Sequence, residues 1–153
     1  MIILYTALIF SCVWFGVCQA RKLESRQAFY ENMHTFLIDY RSNLSFLQKE
    51  FKELAEQHIK SADEGEFNEF LVSHIKDKDY KIEFLTEREQ REAREIIGSL
   101  GKQDAETEEK IVDSALKIIK LRVESATKKR QKYSGFSIKI SLLIGVLLVI
   151  LLL

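Results

Sequence analysis

Apolar residues occupy both ends of the chain, and charged residues occupy the middle. All 23 basic and 23 acidic side chains of the 153-residue chain lie between Arg21 and Lys139. The first apolar stretch, residues 1–18, would span about 27 Å as an α-helix, close to the apolar thickness of a bilayer. The pattern predicts transmembrane helices over residues 1–20 and 135–153, with the Lys139 ammonium group reaching toward the lipid headgroups.

The charged middle carries apolar residues at helical spacing. Steps of three and four residues connect nine positions at its start, which is typical of a long amphipathic helix. A weak break at Ser42-Asn43 leaves open whether residues 27–60 form one helix or two. The nine positions are Phe29, Met33, Phe36, Tyr40, Leu44, Leu47, Phe51, Leu54 and His58.

Capping signals delimit the helices that follow. Residues 67–75 carry a short apolar stripe that predicts a brief helix. Thr86 and Glu89 then fit a capping box, in which the threonine oxygen accepts from the N3 amide and the glutamate carboxylate reaches back to the cap. The helix that Thr86 begins is predicted to end at Gly101, a residue suited to a left-handed C-cap.

The last helix of the middle region is predicted to begin after Asp104, whose side chain suits the N-cap position. An apolar stripe runs along it from Val112 to Ala126, and no proline separates it from the second apolar stretch. The predicted fold class is therefore all-α, a soluble antiparallel helical bundle over residues 21–134 between an N-terminal and a C-terminal transmembrane helix.

Small residues recur at every fourth position in both apolar stretches. Such a row lets two membrane helices approach closely, so we expect each row to serve in the packing of a membrane helix against another helix. The alternative is that small residues fall at this spacing by chance in an apolar stretch of this length. The candidate packing residues are Cys12, Gly16 and Ala20 in the first stretch and Ser137, Ser141 and Gly145 in the second.

Basic residues concentrate beside both apolar stretches. Three of them, against Glu24 alone, follow the first stretch, and eight, against Glu124 alone, lie around the start of the second. Because basic flanks favour the cytoplasmic side, we expect a cytoplasmic middle region with both termini on the far side of the lipid bilayer. Residues 27–116 hold 12 basic and 21 acidic residues, which disfavours nucleic acid as a partner.

A cleaved secretory signal peptide is the alternative for the first apolar stretch. Cys18-Gln19-Ala20 resembles a weak cleavage site, but the apolar run starts at the first residue, without the basic segment that precedes it in a signal peptide. Cleavage would make the chain an exported or tail-anchored helical spacer or interaction protein. A retained membrane anchor is the favoured interpretation.

The sequence contains no recognisable catalytic or metal-binding motif. His34, His58 and His74 lie apart from one another, and both cysteines fall in the first apolar stretch. It has no phosphate-binding glycine loop and no pattern of serine, histidine and aspartate that suggests a catalytic triad. We therefore expect a non-enzymatic protein without cofactor, metal, nucleic acid or small-molecule substrate, which works as a membrane assembly platform for other proteins.

Several stretches resemble the stage III sporulation protein AB family. Residues 84–104, with Leu100-Gly101 and Asp104 ahead of the last helix, look like the family's leucine-glycine pairs and the aspartate that follows them. Residues 37–40 are similar to its acidic-hydrophobic-tyrosine segment, although Asn43 stands where the family usually has proline. Residues 144–153 look like its closing membrane segment.

The resemblance implies a role in sporulation. Proteins of this family belong to a mother-cell membrane complex that forms a channel with a forespore partner. Their helical domain is similar to the cytoplasmic domain of the platform protein of type II secretion systems. The resemblance therefore implies the mother-cell membrane around the forespore as the location. It also implies a cytosolic secretion-type ATPase and other membrane components of the same complex as partners.

Overall fold

Five helices make up the secondary structure of the computed structural model, which describes residues 2–46, 50–61 and 65–152. The described ranges contain no β-strand, in agreement with the predicted all-α class. The helices are α1 (Ile2–Phe46), α2 (Phe51–Ser61), α3 (Glu66–Ile75), α4 (Glu87–Ser99) and α5 (Ala105–Leu152).

Helix α1 continues through Ser42 and Asn43, where the sequence offered a weak break. The Asn43 side chain donates a hydrogen bond from Nδ2 to the Asp39 carbonyl oxygen at 2.7 Å, so it bonds along the helix instead of ending it. The next helix begins at Phe51. The described residues between 27 and 60 thus belong to two helices, and the predicted position Leu47 lies outside the described residues.

The chain divides into two compact units. Unit 1 comprises Met1–Gln27 and Ser125–Leu153, and it is built from the first part of α1 and the last part of α5. Unit 2 comprises Ala28–Glu124, with the rest of α1 and α5 and the three shorter helices. Each unit is built from elements distant in sequence, because α1 and α5 both contribute to both units.

An aromatic cluster forms the centre of unit 2. The Phe29 ring on α1 lies 5.5 Å from the Phe67 ring and 5.7 Å from the Phe70 ring of α3, edge to face in both cases. The Phe36 ring meets the Phe51 ring of α2 in the same way at 6.1 Å. Such pairs contribute about 0.5–1.5 kcal/mol each beyond the burial of their area. Other buried side chains of this core are Met33, Leu37, Leu71, Ile82, Ala93, Ile97, Val112, Ala115 and Ile119.

Helix α4 begins with a capping box at Thr86. The Thr86 Oγ1 accepts a hydrogen bond from the Glu89 N–H at 3.4 Å, and the Glu89 carboxylate accepts one from the Thr86 N–H at 3.0 Å. The Gln90 side chain donates to the carbonyl oxygens of Ile82 and Leu85, at 2.7 and 3.2 Å. These bonds satisfy groups of the first helical turn and hold the preceding loop against the helix.

Helix α4 ends one residue earlier than the sequence indicated. Its last residue is Ser99, and its C-cap is Leu100, with extended backbone angles of φ −77° and ψ 146°. The assignment of Gly101 as the C-cap is therefore corrected, although Gly101 follows directly with a φ of 75°. Leu100 is 4% exposed. Burial of this side chain takes Leu100 out of the helix and leaves the left-handed turn to the glycine after it.

Replacing Gly101 with valine is expected to lower the free energy of unfolding by about 2 kcal/mol or more, because a β-branched residue is strained at positive φ. A Cβ at this position would also lie 2.7 Å from the Phe51 Cβ. Urea unfolding of the full chain in mild detergent measures the loss. Gly98→Ala is the matched control, because its Cβ would meet only His74 Cε1 at 3.6 Å and alanine favours the helix. Equal stability of the two variants would contradict this account of the turn.

Candidate membrane anchor and interaction surfaces

Helix α5 has the length and apolar composition of a membrane helix toward its carboxyl-terminal end. It is the one helix of the described ranges that meets both criteria. A contiguous exposed apolar surface of this kind is typical of a membrane contact. A second span over residues 1–20 stays a prediction. The exposed large apolar side chains of this part of α5 include Phe136, Leu142, Leu143, Ile144, Leu147 and Ile150.

Gly16 of α1 faces Ser137 and Ser141 of α5 at a very close approach. A Cβ built on Gly16 would lie 2.7 Å from the Ser141 Oγ and 3.1 Å from the Ser137 carbonyl oxygen. No side chain larger than hydrogen fits at that distance, so the two helices touch through backbone and small side chains. Close packing of this type is how helices associate where no hydrophobic driving force is available between them.

The remaining small residues of the two predicted rows lie in the same unit. Gly145 is buried, and Cys12 and Ala20 are half-buried. Cys12 and Cys18 are both free thiols. Of the predicted packing residues, the structure thus brings Gly16, Ser137 and Ser141 into direct opposition.

A polar cluster joins the same two helices at the other end of unit 1. Arg130 Nη2 lies 2.9 Å from Glu24 Oε1, and Arg130 Nη1 donates to Gln27 Oε1 at 3.4 Å. Gly16 opposes Ser141 and Glu24 opposes Arg130, so α1 and α5 run antiparallel. The Glu24 and Arg130 side chains are 61% and 43% exposed, so this pair contributes at most about 1 kcal/mol.

Glu108 is a buried carboxylate that closes the turn between α4 and α5. It is 1% exposed. Its oxygens accept hydrogen bonds from the Gly101 N–H at 2.5 Å, the Tyr40 hydroxyl at 2.9 Å and the Gln103 N–H at 3.3 Å. Burial, and then the bond to Glu108, raise the pKa of Tyr40 above its ordinary value. One carboxylate therefore fastens this turn to helix α1.

Asp104 lies at the start of α5, beside this turn. Its Oδ2 accepts a hydrogen bond from the Thr107 N–H at 3.2 Å, which is the geometry of an N-cap side chain. This hydrogen bonding lowers the pKa of the Asp104 carboxyl group. Asp104 is an exposed side chain that caps the start of α5, whereas Glu108, one turn later, is buried and bonds to the turn and to Tyr40.

A cavity of about 720 Å³ opens beside Tyr40 and Glu108. Its rim carries charges of both signs, including Glu50, Lys52 and Lys102. No serine, threonine or cysteine accompanies His74 among the described residues that line it. The Tyr40 and Glu108 side chains at the cavity wall are hydrogen-bonded to each other.

Arg122 of α5 forms ion pairs with two glutamates of helix α4. Its guanidinium donates a short hydrogen bond to the Glu92 carboxylate and lies 4.0 Å from Glu89 Oε1. Burial lowers the pKa of Arg122, but the hydrogen bond and the charge of Glu92 outweigh it and raise the pKa overall. Glu89 therefore makes two kinds of contact: it completes the capping box at Thr86, and it lies beside Arg122 of α5.

His58 and His74 of unit 2 pack against aromatic rings. The His58 ring lies 5.2 Å from the Phe36 ring, and the His74 ring lies 6.3 Å from the Phe51 ring. Burial lowers the pKa of both imidazoles below the ordinary value, which favours their neutral form. Within the ranges that the structure describes, no group of three His, Cys, Asp or Glu side chains is placed to hold a metal ion.

Sequence reasoning missed Glu108 and Arg122 as structural residues, although a signal for both was present. Each lies on the buried stripe of α5, in register with its apolar members. A charged residue on such a stripe indicates a paired or hydrogen-bonded group, because an unpaired charge would be costly to bury. The stripe consists of Glu108, Val112, Ala115, Ile119, Arg122 and Ala126.

The five helices and the apolar end of α5 together define an all-helical protein with a candidate membrane anchor toward the carboxyl-terminal end of α5. The family model of stage III sporulation protein AB matches residues 49–153. The chain therefore belongs to the stage III sporulation protein AB family, which confirms the resemblance seen in its sequence. No curated protein and no solved structure matches the chain.

Proposed function

We propose that the chain is a non-enzymatic platform subunit of a sporulation membrane complex. Two membrane helices hold it in the mother-cell membrane around the forespore, and unit 2 extends into the cytoplasm, where it docks a secretion-type ATPase. Membership of the family supports the sporulation role. The other membrane components of the complex are the remaining partners, and together they contribute to the channel toward the forespore.

The division of charge between the two units is the observation that carries this proposal. Unit 1 holds eight basic residues and one acidic residue, whereas unit 2 holds 15 basic and 22 acidic residues. Basic residues beside a membrane helix favour the cytoplasmic side of the membrane. A basic unit 1 and an acidic unit 2 therefore suit a chain whose unit 2 lies on the cytoplasmic side of the membrane.

The close pairing of α1 with α5 supports a two-helix anchor. Residues 1–20 carry no charge, and Phe10, Trp14 and Phe15 on this part of α1 are exposed. The contact of Gly16 with Ser141 places the apolar part of α1 beside the apolar part of α5. Cleavage of the first apolar stretch would remove the helix that packs against the apolar part of α5. The contact therefore favours a retained first stretch over a cleaved signal peptide.

The exposed acidic residues of unit 2 provide a surface for a partner with complementary charge. Glu53 and Glu56 lie exposed on α2, and Glu87 and Glu95 lie exposed on α4. Charges of this kind steer the approach of a partner and set its orientation, and their effect weakens as salt rises. Docking of the ATPase is therefore expected to depend on salt.

Co-purification of the proposed secretion-type ATPase with the full chain in mild detergent tests the docking. We expect capture at low salt and a loss of about tenfold or more when two carboxylates of the docking helix are reversed. Glu53→Lys with Glu56→Lys tests α2, and Glu87→Lys with Glu95→Lys tests α4, so each double variant is the control for the other. Absence of capture at every salt concentration, or equal capture by all three chains, would contradict docking through unit 2.

A further inference from the structure

Unit 1 carries a concentrated positive charge. Its eight basic residues face a single carboxylate, Glu24, and that carboxylate pairs with Arg130 at 2.9 Å. Six of the eight basic side chains are exposed, namely Arg21 and Lys22 on α1 and Lys128, Lys129, Lys132 and Lys139 on α5.

Lys128 and Lys132 on α5 point away from the neighbouring helix. Arg130 marks the side of α5 that contacts α1, through Glu24 and Gln27. At 100° per residue, Lys128 and Lys132 lie nearly opposite to Arg130 on the helix. These ammonium groups are thus presented to the surroundings of the helix pair.

The surface lies next to the apolar part of α5. Lys132 precedes the charge-free residues 140–153 by about 12 Å along the helix. Between them, Tyr133 and Phe136 are 41% and 55% exposed, and the Lys132 ammonium group stands 5.2 Å from the centre of the Tyr133 ring. Aromatic residues beside lysines are typical of the headgroup level of a membrane helix.

We propose that Arg21, Lys22, Lys128, Lys129 and Lys132 form a binding surface for anionic phospholipid headgroups. The inference rests on the proposed membrane location of α5. A lipid surface fits better than a soluble polyanion, because the basic groups and the exposed apolar groups are consecutive on one helix and only a bilayer offers both chemistries at this separation. Each basic residue at such a surface contributes about fivefold in affinity.

Energy transfer from the single tryptophan, Trp14, to pyrene-labelled lipid tests the proposal. The full chain is reconstituted in phosphatidylcholine vesicles that contain a small fraction of labelled phosphatidylglycerol or labelled phosphatidylcholine. We expect about fivefold or greater enrichment of the anionic lipid around the protein. Lys128→Gln, Lys129→Gln and Lys132→Gln together should lower this enrichment severalfold, to what Arg21 and Lys22 still support. The same change at Lys110, Lys117 and Lys120, which are exposed on the unit 2 part of α5, should leave it intact.

Three outcomes would overturn the proposal. They are equal transfer to the two labelled lipids, equal enrichment by the two triple variants, and displacement of the lipid by inorganic phosphate beyond the effect of sodium chloride at the same ionic strength. Flotation with uncharged vesicles after an alkaline wash separates this proposal from the membrane role. A chain that fails to float argues against membrane anchoring itself, whereas one that floats without selecting anionic lipid contradicts only the lipid surface.

Discussion

Replacing Glu108 with alanine is expected to lower the free energy of unfolding by about 3 kcal/mol, measured by urea unfolding of the full chain in mild detergent. The carboxylate is 1% exposed and accepts three hydrogen bonds. A hydrogen bond to a charged acceptor contributes about 1.5–3 kcal/mol. A buried donor that is left without its partner costs about 1–3 kcal/mol. The Tyr40 hydroxyl would lose its partner in the interior, and the turn between α4 and α5 would lose its connection to α1.

Two further variants make this prediction specific. Glu108→Gln keeps one acceptor oxygen and is expected to cost about 1–2 kcal/mol, because its amide NH₂ opposes a backbone N–H. Glu106→Ala, two residues away, removes an exposed carboxylate that pairs with Lys110 at 2.7 Å and should cost about 0.5 kcal/mol or less. In a chain that carries Tyr40→Phe, the effect of Glu108→Ala should shrink, since the bonded pair is already broken. Equal losses at positions 106 and 108 would show that Glu108 does not fasten the turn.

Replacing Gly16 with leucine is expected to separate α1 from α5 within unit 1, at a cost of about 1–3 kcal/mol to their pairing. The Cβ alone would lie 2.7 Å from the Ser141 Oγ, and the rest of the side chain would extend further into α5. Leucine favours the helix more than glycine does, so a loss of pairing would come from the contact and not from local helix propensity.

Cross-linking measures this separation directly. Cysteines replace Glu24 and Arg130, whose side chains meet at 2.9 Å, in a chain that carries Cys12→Ala and Cys18→Ala. A short bis-maleimide reagent should join the two positions efficiently, and Gly16→Leu should reduce the yield severalfold. Gly135→Leu is the control, because a Cβ at Gly135 meets nothing within 4 Å. Similar yields for the two leucine variants would contradict close packing at Gly16.

Local signals predicted the parts of the fold that local chemistry determines. The capping box at Thr86 and Glu89 needs only residues three apart, and it begins α4 in the structure. The glycine after α4 has the positive φ that its residue type suggested, whereas the last helical residue depended on burial of Leu100, which is a tertiary effect. The sequence left open whether the helix breaks at Ser42-Asn43; it continues there, and the Asn43 side chain bonds back to Asp39.

Long-range partners were beyond the reach of spacing arguments. The periodicity of α1 shows that Phe29 and Phe36 are inward, but it does not reveal that their neighbours are Phe67 and Phe51. In the same way, Glu108 and Tyr40 are 68 positions apart, and neither residue alone indicates that the two side chains are hydrogen-bonded. The small residues around Gly16 and Ser141 were more informative, because close helix contacts need the same residue types on both sides.

The side of the membrane that unit 2 faces is the central claim, and cysteine labelling tests it most directly. Ser114, exposed on the unit 2 part of α5, is replaced by cysteine in a chain that carries Cys12→Ala and Cys18→Ala. In growing cells, a membrane-impermeant maleimide should label this cysteine only after the cells are opened, whereas a cysteine appended after Leu153 should react in intact cells. Labelling at position 114 in intact cells would place unit 2 outside and contradict the platform account.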